Sequence, residues 1–189
     1  SDNFDDFLTH EIIEDMKKVD TIHFGTLFDK PVDKIPPNVI RLIFYQFFNQ
    51  PVDNLPNSIL ILRFGEEFNH PINNLPKSLK ILHLNYFFNQ PIDNLPIGLE
   101  ELCITGKFNQ PIDFLPHTLK ELCLVGDDFN QPIDNLPSGI EILELGCGFN
   151  QPIKVLPNSL KNIVFGFSFN QPICCQHWEE EECDCKQII

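Results

Sequence analysis

Apolar residues recur along most of this chain with a period of about 20 residues, and phenylalanine marks the period. The tetrad F-N-Q-P begins at Phe48, Phe88, Phe108, Phe129, Phe149 and Phe169, and variants of it begin at Phe28 and Phe68. Successive phenylalanines of this set are 20 residues apart, except for one interval of 21 residues between Phe108 and Phe129. A fixed period of this length predicts an array of stacked units.

Each unit also contains the segment L-x-x-L-x-F or a close variant, as in Leu79, Leu82 and Leu84. This is the spacing of a leucine-rich-repeat strand segment. Alternation at its last two apolar positions predicts a short β-strand with two inward side chains. Because such a strand is too short to be stable alone, we expect consecutive units to pair as a parallel sheet with about 4.8 Å between strands.

The other half of each unit contains two prolines, such as Pro51 and Pro56. They exclude a regular α-helix and favour turns and extended backbone, so this convex side should be thin. Val52 and Leu55 should point inward, and the tetrad phenylalanines should stack as a continuous aromatic column.

The asparagine that follows each tetrad phenylalanine is interpreted as structural. A buried amide there would bond backbone groups in the turn and leave fewer peptide groups unpaired between units. The 21-residue interval is expected to place its extra residue in the turn around Val125 to Asp128.

The repeats should occupy residues 19–173, with a different segment at each end. Apolar residues fall at helical spacing near the start and predict an amphipathic capping helix over residues 3–18; they are Phe4, Phe7, Leu8, Ile12, Met16 and Val19. Residues 174–189 are acidic and cysteine-rich and contain Cys174, Cys175, His177, Trp178, Cys183 and Cys185. Three interpretations stay open for them: a loosely ordered tail with Trp178 closing the last unit, a zinc site, or disulfides formed on oxidation.

The charge balance restricts the possible partners. The chain has 13 Lys and Arg against 27 Asp and Glu, a formal net charge of −14. Nucleic-acid binding and attachment to an anionic membrane are both disfavoured. Neither a long apolar stretch nor a secretory leader is evident, so a cytoplasmic location with reduced cysteines is expected, in the host cytoplasm if the protein is viral. No G-x-G-x-x-G, P-loop or G-x-S-x-G motif occurs, and we expect neither an enzyme nor a cofactor.

The residues that flank the inward pair on each strand should form two columns on the concave face of the sheet. From these columns we predict a partner-binding surface made of Arg41, Ile43, Ile61, Arg63, Ile81, His83, Glu101, Glu121 and Glu144. Exposed isoleucines beside arginines suit a protein interface, whereas the glutamates form an acidic patch. A solvated scaffold surface without a partner is the alternative.

His83, Cys103 and Cys123 fall in one column on consecutive strands. A metal site or a Cys–His nucleophile is conceivable there. A flat ladder should nevertheless offer neither a pocket nor oxyanion donors, which favours ordinary side chains on a sheet.

The F-N-Q-P-I tetrads, followed by L-P-x-S-L-x-x-L-x-F-G, resemble the FNIP-repeat family, a variant of the leucine-rich repeats of amoebae and giant viruses. The resemblance covers about residues 19–173. It implies a β-rich solenoid with a leucine-rich-repeat-like parallel sheet and a non-enzymatic role in protein contact. Some members carry an F-box before the repeats and resemble substrate receptors of ubiquitin ligases. Only about 18 residues precede the first repeat strand here, too few for an F-box.

Three functional hypotheses follow. The first is an interaction scaffold that binds a protein partner on the concave face, as a viral adaptor or a receptor lacking its F-box. The second is a structural or self-associating repeat protein, which would form homo-oligomers. The third is a metal-binding protein that uses the C-terminal Cys and His residues.

Overall fold

A computed structural model describes residues 10–173 of the chain, as one short helix followed by eight short strands. The elements are α1 (His10–Met16), β1 (Thr21–His23), β2 (Arg41–Ile43), β3 (Ile61–Arg63), β4 (Ile81–Leu84), β5 (Glu101–Thr105), β6 (Glu121–Val125), β7 (Ile142–Leu145) and β8 (Asn162–Val164). The strands form one parallel sheet in chain order. The chain is therefore a β-solenoid in which every coil contributes one strand, as the repeat predicts.

Equivalent positions of neighbouring coils are aligned in the sheet. Leu62, Leu82 and Leu102 are partners across β3, β4 and β5. The register advances by 20 residues at these steps and by 21 between β6 and β7, where Cys123 pairs with Glu144. The extra residue lies in the turn between Val125 and Phe129, and the strands on both sides keep their alignment. Its predicted place is confirmed.

The tetrad phenylalanines form the predicted column inside the solenoid. Ring centroids of successive coils, from Phe28 to Phe169, lie 5.8 to 6.2 Å apart with interplanar angles between 2° and 16°. Phe48, Phe68 and Phe88 are completely buried. A second row of rings at the strand ends packs against the column, as in Phe64, whose centroid is 3.7 Å from that of Phe68. Offset stacks of this kind add to the free energy gained by burying the rings.

The spacing of the rings also determines which way the solenoid curves. Neighbouring strands of a sheet lie about 4.8 Å apart. The Phe68 and Phe88 rings are 6.2 Å apart, so each coil is wider on its phenylalanine side than on its strand side. Coils of this wedge shape place the sheet on the concave side of the solenoid. The outward strand residues therefore face a concave surface, as the sequence predicts.

The proline-containing half of each unit is thin and non-helical throughout residues 28–160. Val52 and Leu55 are buried, as predicted. The second proline begins a tight turn: the Pro76 carbonyl accepts a hydrogen bond from the Leu79 N–H at 3.0 Å. This turn redirects the chain into the next strand with Leu79 pointing inward.

The residues that follow the tetrad phenylalanines form a polar ladder from coil to coil. The asparagine residues are mostly exposed, so the prediction of buried amides is wrong. Their structural role is nevertheless confirmed, since Oδ1 of Asn69 accepts a hydrogen bond from the Asn89 N–H at 3.0 Å and another from Gln90 Nε2 at 3.2 Å. The same bond recurs from coil to coil up to Asn170, and Asp29 replaces asparagine as the first acceptor.

A helix covers the first coil, as predicted, but its described part is shorter than residues 3–18. It ends at Met16, which is buried, while Ile12 and Ile13 pack against the core. Val19 was expected on the apolar face and is instead 45% exposed, because the chain has left the helix there. Residues 1–9 and 174–189 lie outside the described part, so the helix start and the C-terminal alternatives stay predictions, as do the domain boundaries.

The stacked column predicts a large effect of removing one ring. Phe88→Ala should lower the free energy of unfolding by about 3 to 5 kcal/mol, because a fully buried benzyl group is lost from the middle of the column. Urea titration followed by circular dichroism measures this change. Phe114→Ala is the control, since its ring is 71% exposed and the loss should stay below about 1 kcal/mol. Equal losses in the two variants would contradict an interior column.

The asparagine ladder predicts a contrast between two substitutions at one position. Asn89→Ala removes the acceptor for the Asn109 N–H and should destabilise the protein by about 1 kcal/mol. Asn89→Asp keeps an acceptor, as Asp29 does in the first coil, and should unfold close to the native midpoint. Thermal unfolding of both variants checks the ladder, and equal destabilisation by Ala and Asp would refute it.

Candidate protein-binding face

The sheet register places every predicted partner-binding residue on the concave face. The column nearer the strand starts consists of Thr21, Arg41, Ile61, Ile81, Glu101, Glu121, Ile142 and Asn162. The second column consists of His23, Ile43, Arg63, His83, Cys103, Cys123, Glu144 and Val164. The backbone pairing is therefore as predicted, while the binding role of these side chains stays a prediction.

The half of this face on β1 to β4 is basic and apolar. Arg41 and Arg63 are exposed, as expected. Neither guanidinium forms an ion pair with any residue in the 10–173 range, unlike the ammonium group of Lys80, which lies 2.9 Å from the Glu100 carboxylate. Three isoleucines beside them, Ile43, Ile61 and Ile81, are half-buried rather than fully exposed, because neighbouring strands shield their sides.

The half on β5 to β7 is acidic. It contains Glu101, Glu121 and Glu144 and has no Lys or Arg in either column. The two halves meet at β4 and β5, where Nε2 of His83 lies 2.6 Å from Oε1 of Glu101. The concave face is thus electrically polarised along the solenoid axis.

The two thiols in the acidic half influence one another. A hydrogen bond from Cys123 holds the pKa of the Cys103 thiol below its usual value, because the donated S–H stabilises the thiolate. The same bond raises the pKa of Cys123, and burial and the Glu144 charge act in the same direction.

The suggested metal site or Cys–His nucleophile gains no support from this arrangement. His83 is directed to Glu101, and within the described residues no three His, Cys, Asp or Glu side chains are placed to hold a metal ion. None of the described helical segments is long and apolar enough to cross a bilayer.

A shallow, open groove lies at one edge of the strand ladder. It has a volume of about 420 Å³ and lies where β2, β3 and β4 run into their turns. Its lining includes Ile43, Tyr45, Arg63, Glu66, His83 and Asn85. Three of these, Ile43, Arg63 and His83, are among the predicted partner-binding residues.

Gly65 lies between Tyr45 and Asn85 at the equivalent position of the turn. Consecutive turns pack backbone on backbone, and a Cβ atom at Gly65 would lie 2.1 Å from the Tyr45 carbonyl oxygen. Only glycine fits there, because the Tyr45 backbone occupies the space into which a side chain would project. The sequence signal for this groove is that three unlike residues, Tyr45, Gly65 and Asn85, occupy the same repeat position. That position follows the strands, so the two strand columns do not include it.

Exposed aromatic side chains lie along the turn edge of the sheet beside the groove. They were not among the predicted binding residues, which were taken from the strand columns alone. Tyr45 and Tyr86 are both 46% exposed, and Phe47 and Phe87 are 43% and 37% exposed. Lys107 lies above the Phe87 ring, with Nζ 5.0 Å from the centroid, a cation–π geometry. Tyr45 instead places its hydroxyl 3.2 Å from Nδ1 of His23.

The thiol pair predicts a difference in reactivity. Iodoacetamide at pH 8 should alkylate Cys103 before Cys123, because the lower pKa gives Cys103 more thiolate. Cys123→Ala should slow the modification of Cys103, since the stabilising S–H is lost while burial and the Glu101 charge remain. Peptide mass spectrometry over time measures both rates. An unchanged Cys103 rate in the variant would show that the two thiols are not coupled.

The comparison with protein families agrees with the repeat architecture. The FNIP repeat model matches residues 28–67, 48–87, 68–107, 108–148 and 149–174. A search of curated proteins gave no match. Among solved structures, the chain is similar to CroV588, a giant-virus protein described as a novel circular leucine-rich-repeat structure, with 30% identity and a TM-score of 0.38. The alignment covers 80% of this chain and 34% of that one, so the chain spans about a third of its neighbour's length. Because the matched repeats cover most of the chain, it belongs to the FNIP repeat family.

Proposed function

We propose that this chain is a protein-interaction scaffold that binds a protein partner on the concave face of its sheet. The observation that carries the proposal is the pair Arg41 and Arg63, which project from adjacent strands without an ion-pair partner among residues 10–173. Half-buried isoleucines flank them and add apolar area. Arginine is one of the residues enriched at the centres of protein interfaces.

The architecture suits such a role because the face is separate from the core. Inward positions such as Leu62, Leu82 and Leu102 are buried and nearly invariant from coil to coil, whereas the outward positions beside them vary. Substitutions on the face therefore change what it contacts and leave the coil packing intact. The strands also hold these side chains on a fixed backbone, which lowers the entropy lost when a partner binds.

The more specific role that we propose is that of an adaptor that captures a host protein in the cytoplasm, as a virus would need. The family resemblance supports this role, and we expect Cys103, Cys123 and Cys147 to be reduced in that compartment. A receptor of the ubiquitin-ligase type is the nearest variant of it, and would require an F-box from another chain or segment.

Self-association is the second candidate. It would involve the ends of the solenoid, because two concave faces do not fit one another. Phe167 in the last described coil is 92% exposed and favours it. Light scattering over a range of concentrations separates the two functions, since a persistent monomer counts against self-association.

The proposed interface predicts that reversing its charge abolishes capture without unfolding the chain. Arg41→Glu combined with Arg63→Glu should lose the partners retained by the native chain in affinity capture from host or infected cells, because both side chains are exposed on the face. The thermal midpoint should stay within a few degrees of native. The control is Lys30→Glu combined with Lys77→Glu, which makes the same change of net charge at exposed loop positions. Identical sets of captured proteins for both double variants would place the interface elsewhere.

A further inference from the structure

We infer that Cys103 and Cys123 form a redox modification site on the concave face, in which oxidation of Cys103 by a peroxide is followed by a disulfide to Cys123. This site goes beyond the proposed function, because it does not depend on which partner the face binds. Three observations carry the inference. The two residues are register partners on neighbouring strands, both are half-buried rather than enclosed, and the stacking of the coils does not need cysteine at either position.

The sheet register places the two thiols side by side. Cys103 on β5 is the direct partner of Cys123 on β6, and the two strands are parallel. Neighbouring strands lie about 4.8 Å apart, which is within the Cα separation of about 4.4 to 6.8 Å that a disulfide spans. Each cysteine is the central residue of a strand of five residues, so fraying at the strand ends does not change this spacing.

The curvature of the solenoid brings the two side chains closer together than their backbones. The coils are wider at the phenylalanine column than at the strands, since the ring centroids of Phe108 and Phe129, which follow β5 and β6, are 6.0 Å apart. Side chains that project from the concave face therefore converge. This convergence matters because the Cβ atoms of a disulfide lie only about 3.8 Å apart. Any mismatch that remains makes the bond easier to reduce, which suits a reversible modification.

The interaction between the thiols gives them different roles. The S–H that Cys123 donates lowers the pKa of the Cys103 thiol, so Cys103 has more thiolate and is oxidised first. The same interaction raises the pKa of Cys123 and retains its proton. Once Cys103 is oxidised and uncharged, its contribution to this rise is lost, and the Cys123 thiol ionises more readily. An accessible cysteine of low pKa beside a resolving cysteine is the usual arrangement of a redox sensor.

The reaction consumes one molecule of hydrogen peroxide and oxidises two thiols. The Cys103 thiolate attacks one peroxide oxygen, the O–O bond breaks, and hydroxide leaves as Cys103 becomes a sulfenic acid. The Cys123 thiolate then attacks the Cys103 sulfur, the S–O bond breaks, and a second hydroxide leaves. The two protons released by the thiols convert both hydroxides to water. The two electrons lost by the sulfur atoms are gained by the peroxide oxygen atoms.

The charges around the two thiols favour a neutral oxidant. Glu101 and Glu121 precede the cysteines by two residues on the same strands, and Glu144 is the register partner of Cys123. These carboxylates repel anionic oxidants such as glutathione disulfide, whereas hydrogen peroxide carries no charge. A transient disulfide is also the form in which cytosolic proteins use such bonds for sensing.

The repeat itself does not explain two adjacent cysteines. The register partners on the outer sides of the two thiols are His83 and Glu144, so this column accepts charged and polar side chains alike. Cys147, the third cysteine of residues 10–173, lies in a turn, and its equivalents in the neighbouring coils are Asp127 and Phe167. It therefore has no thiol at its repeat position and serves as an internal reference.

The test exposes the full chain to increasing amounts of hydrogen peroxide near neutral pH. Remaining thiols are then blocked with N-ethylmaleimide, and the peptides are mapped by tandem mass spectrometry without reduction. Peptides joined by Cys103 and Cys123 should appear at peroxide doses that leave Cys147 open to N-ethylmaleimide. Treatment with dithiothreitol should remove the bond and restore both thiols.

Matched serine variants separate the roles of the two thiols. Cys123→Ser keeps a hydroxyl donor beside Cys103 but has no resolving thiol, so Cys103 should accumulate as a sulfenic acid that dimedone traps. Cys103→Ser should slow the oxidation of Cys123 by at least about tenfold, because burial and the Glu144 charge still raise the pKa of Cys123. Cys147→Ser is the control and should form the Cys103 to Cys123 bond as the native chain does.

Several outcomes would overturn the inference. If the joined peptides are missing at peroxide doses that already oxidise Cys147, the two thiols are not a preferred site. A bond from Cys103 to any other cysteine in place of Cys123 would show that the register does not select the partner. The absence of a dimedone adduct in Cys123→Ser, or an unchanged rate of Cys123 oxidation in Cys103→Ser, would refute the assigned order of the two steps.

Discussion

The structure depends on the stacking of equivalent residues from successive coils. No coil has a core of its own, because each strand has only three to five residues and the connecting segment is extended. Burial is achieved only when Phe88 is covered by Phe68 on one side and by Phe108 on the other. Stability is therefore a nearest-neighbour property, and a defect in one coil weakens its contacts with two others.

Stacking of rings would leave the turn backbone unpaired without the asparagine ladder. The strands pair their own peptide groups, but the turn after each phenylalanine has no regular secondary structure. Oδ1 of each asparagine satisfies the N–H one coil later, and the following glutamine donates to the same residue in most coils. Apolar and polar contacts thus obey the same 20-residue period, which explains why a tetrad containing both is the most regular part of the sequence. The wider spacing at the phenylalanine side then sets the curvature.

Features that repeat with the period could be predicted from the sequence, and features that break it could not. The inward positions, the register and the additional turn residue between Val125 and Phe129 follow from counting residues, because stacking forces equivalent positions into line. The exposure of the asparagines could not be predicted, since a residue that bonds along the surface has the same spacing as one inside. The groove beside Tyr45 arises from the unlike residues of three consecutive coils, and a consensus unit contains no trace of it.

The same distinction explains where function can reside in a protein of this kind. Any residue that serves the stack is constrained by the coils on both sides, so it is repeated; any residue that departs from the repeat without disturbing the stack is free to serve another purpose. Arg41 and Arg63 depart in this way, as do the glutamates beyond β4. In a chain with a net charge of −14, the abundant carboxylates could readily have paired these arginines within the sheet. Their separation from the acidic half instead leaves a face that is electrically polarised along the solenoid.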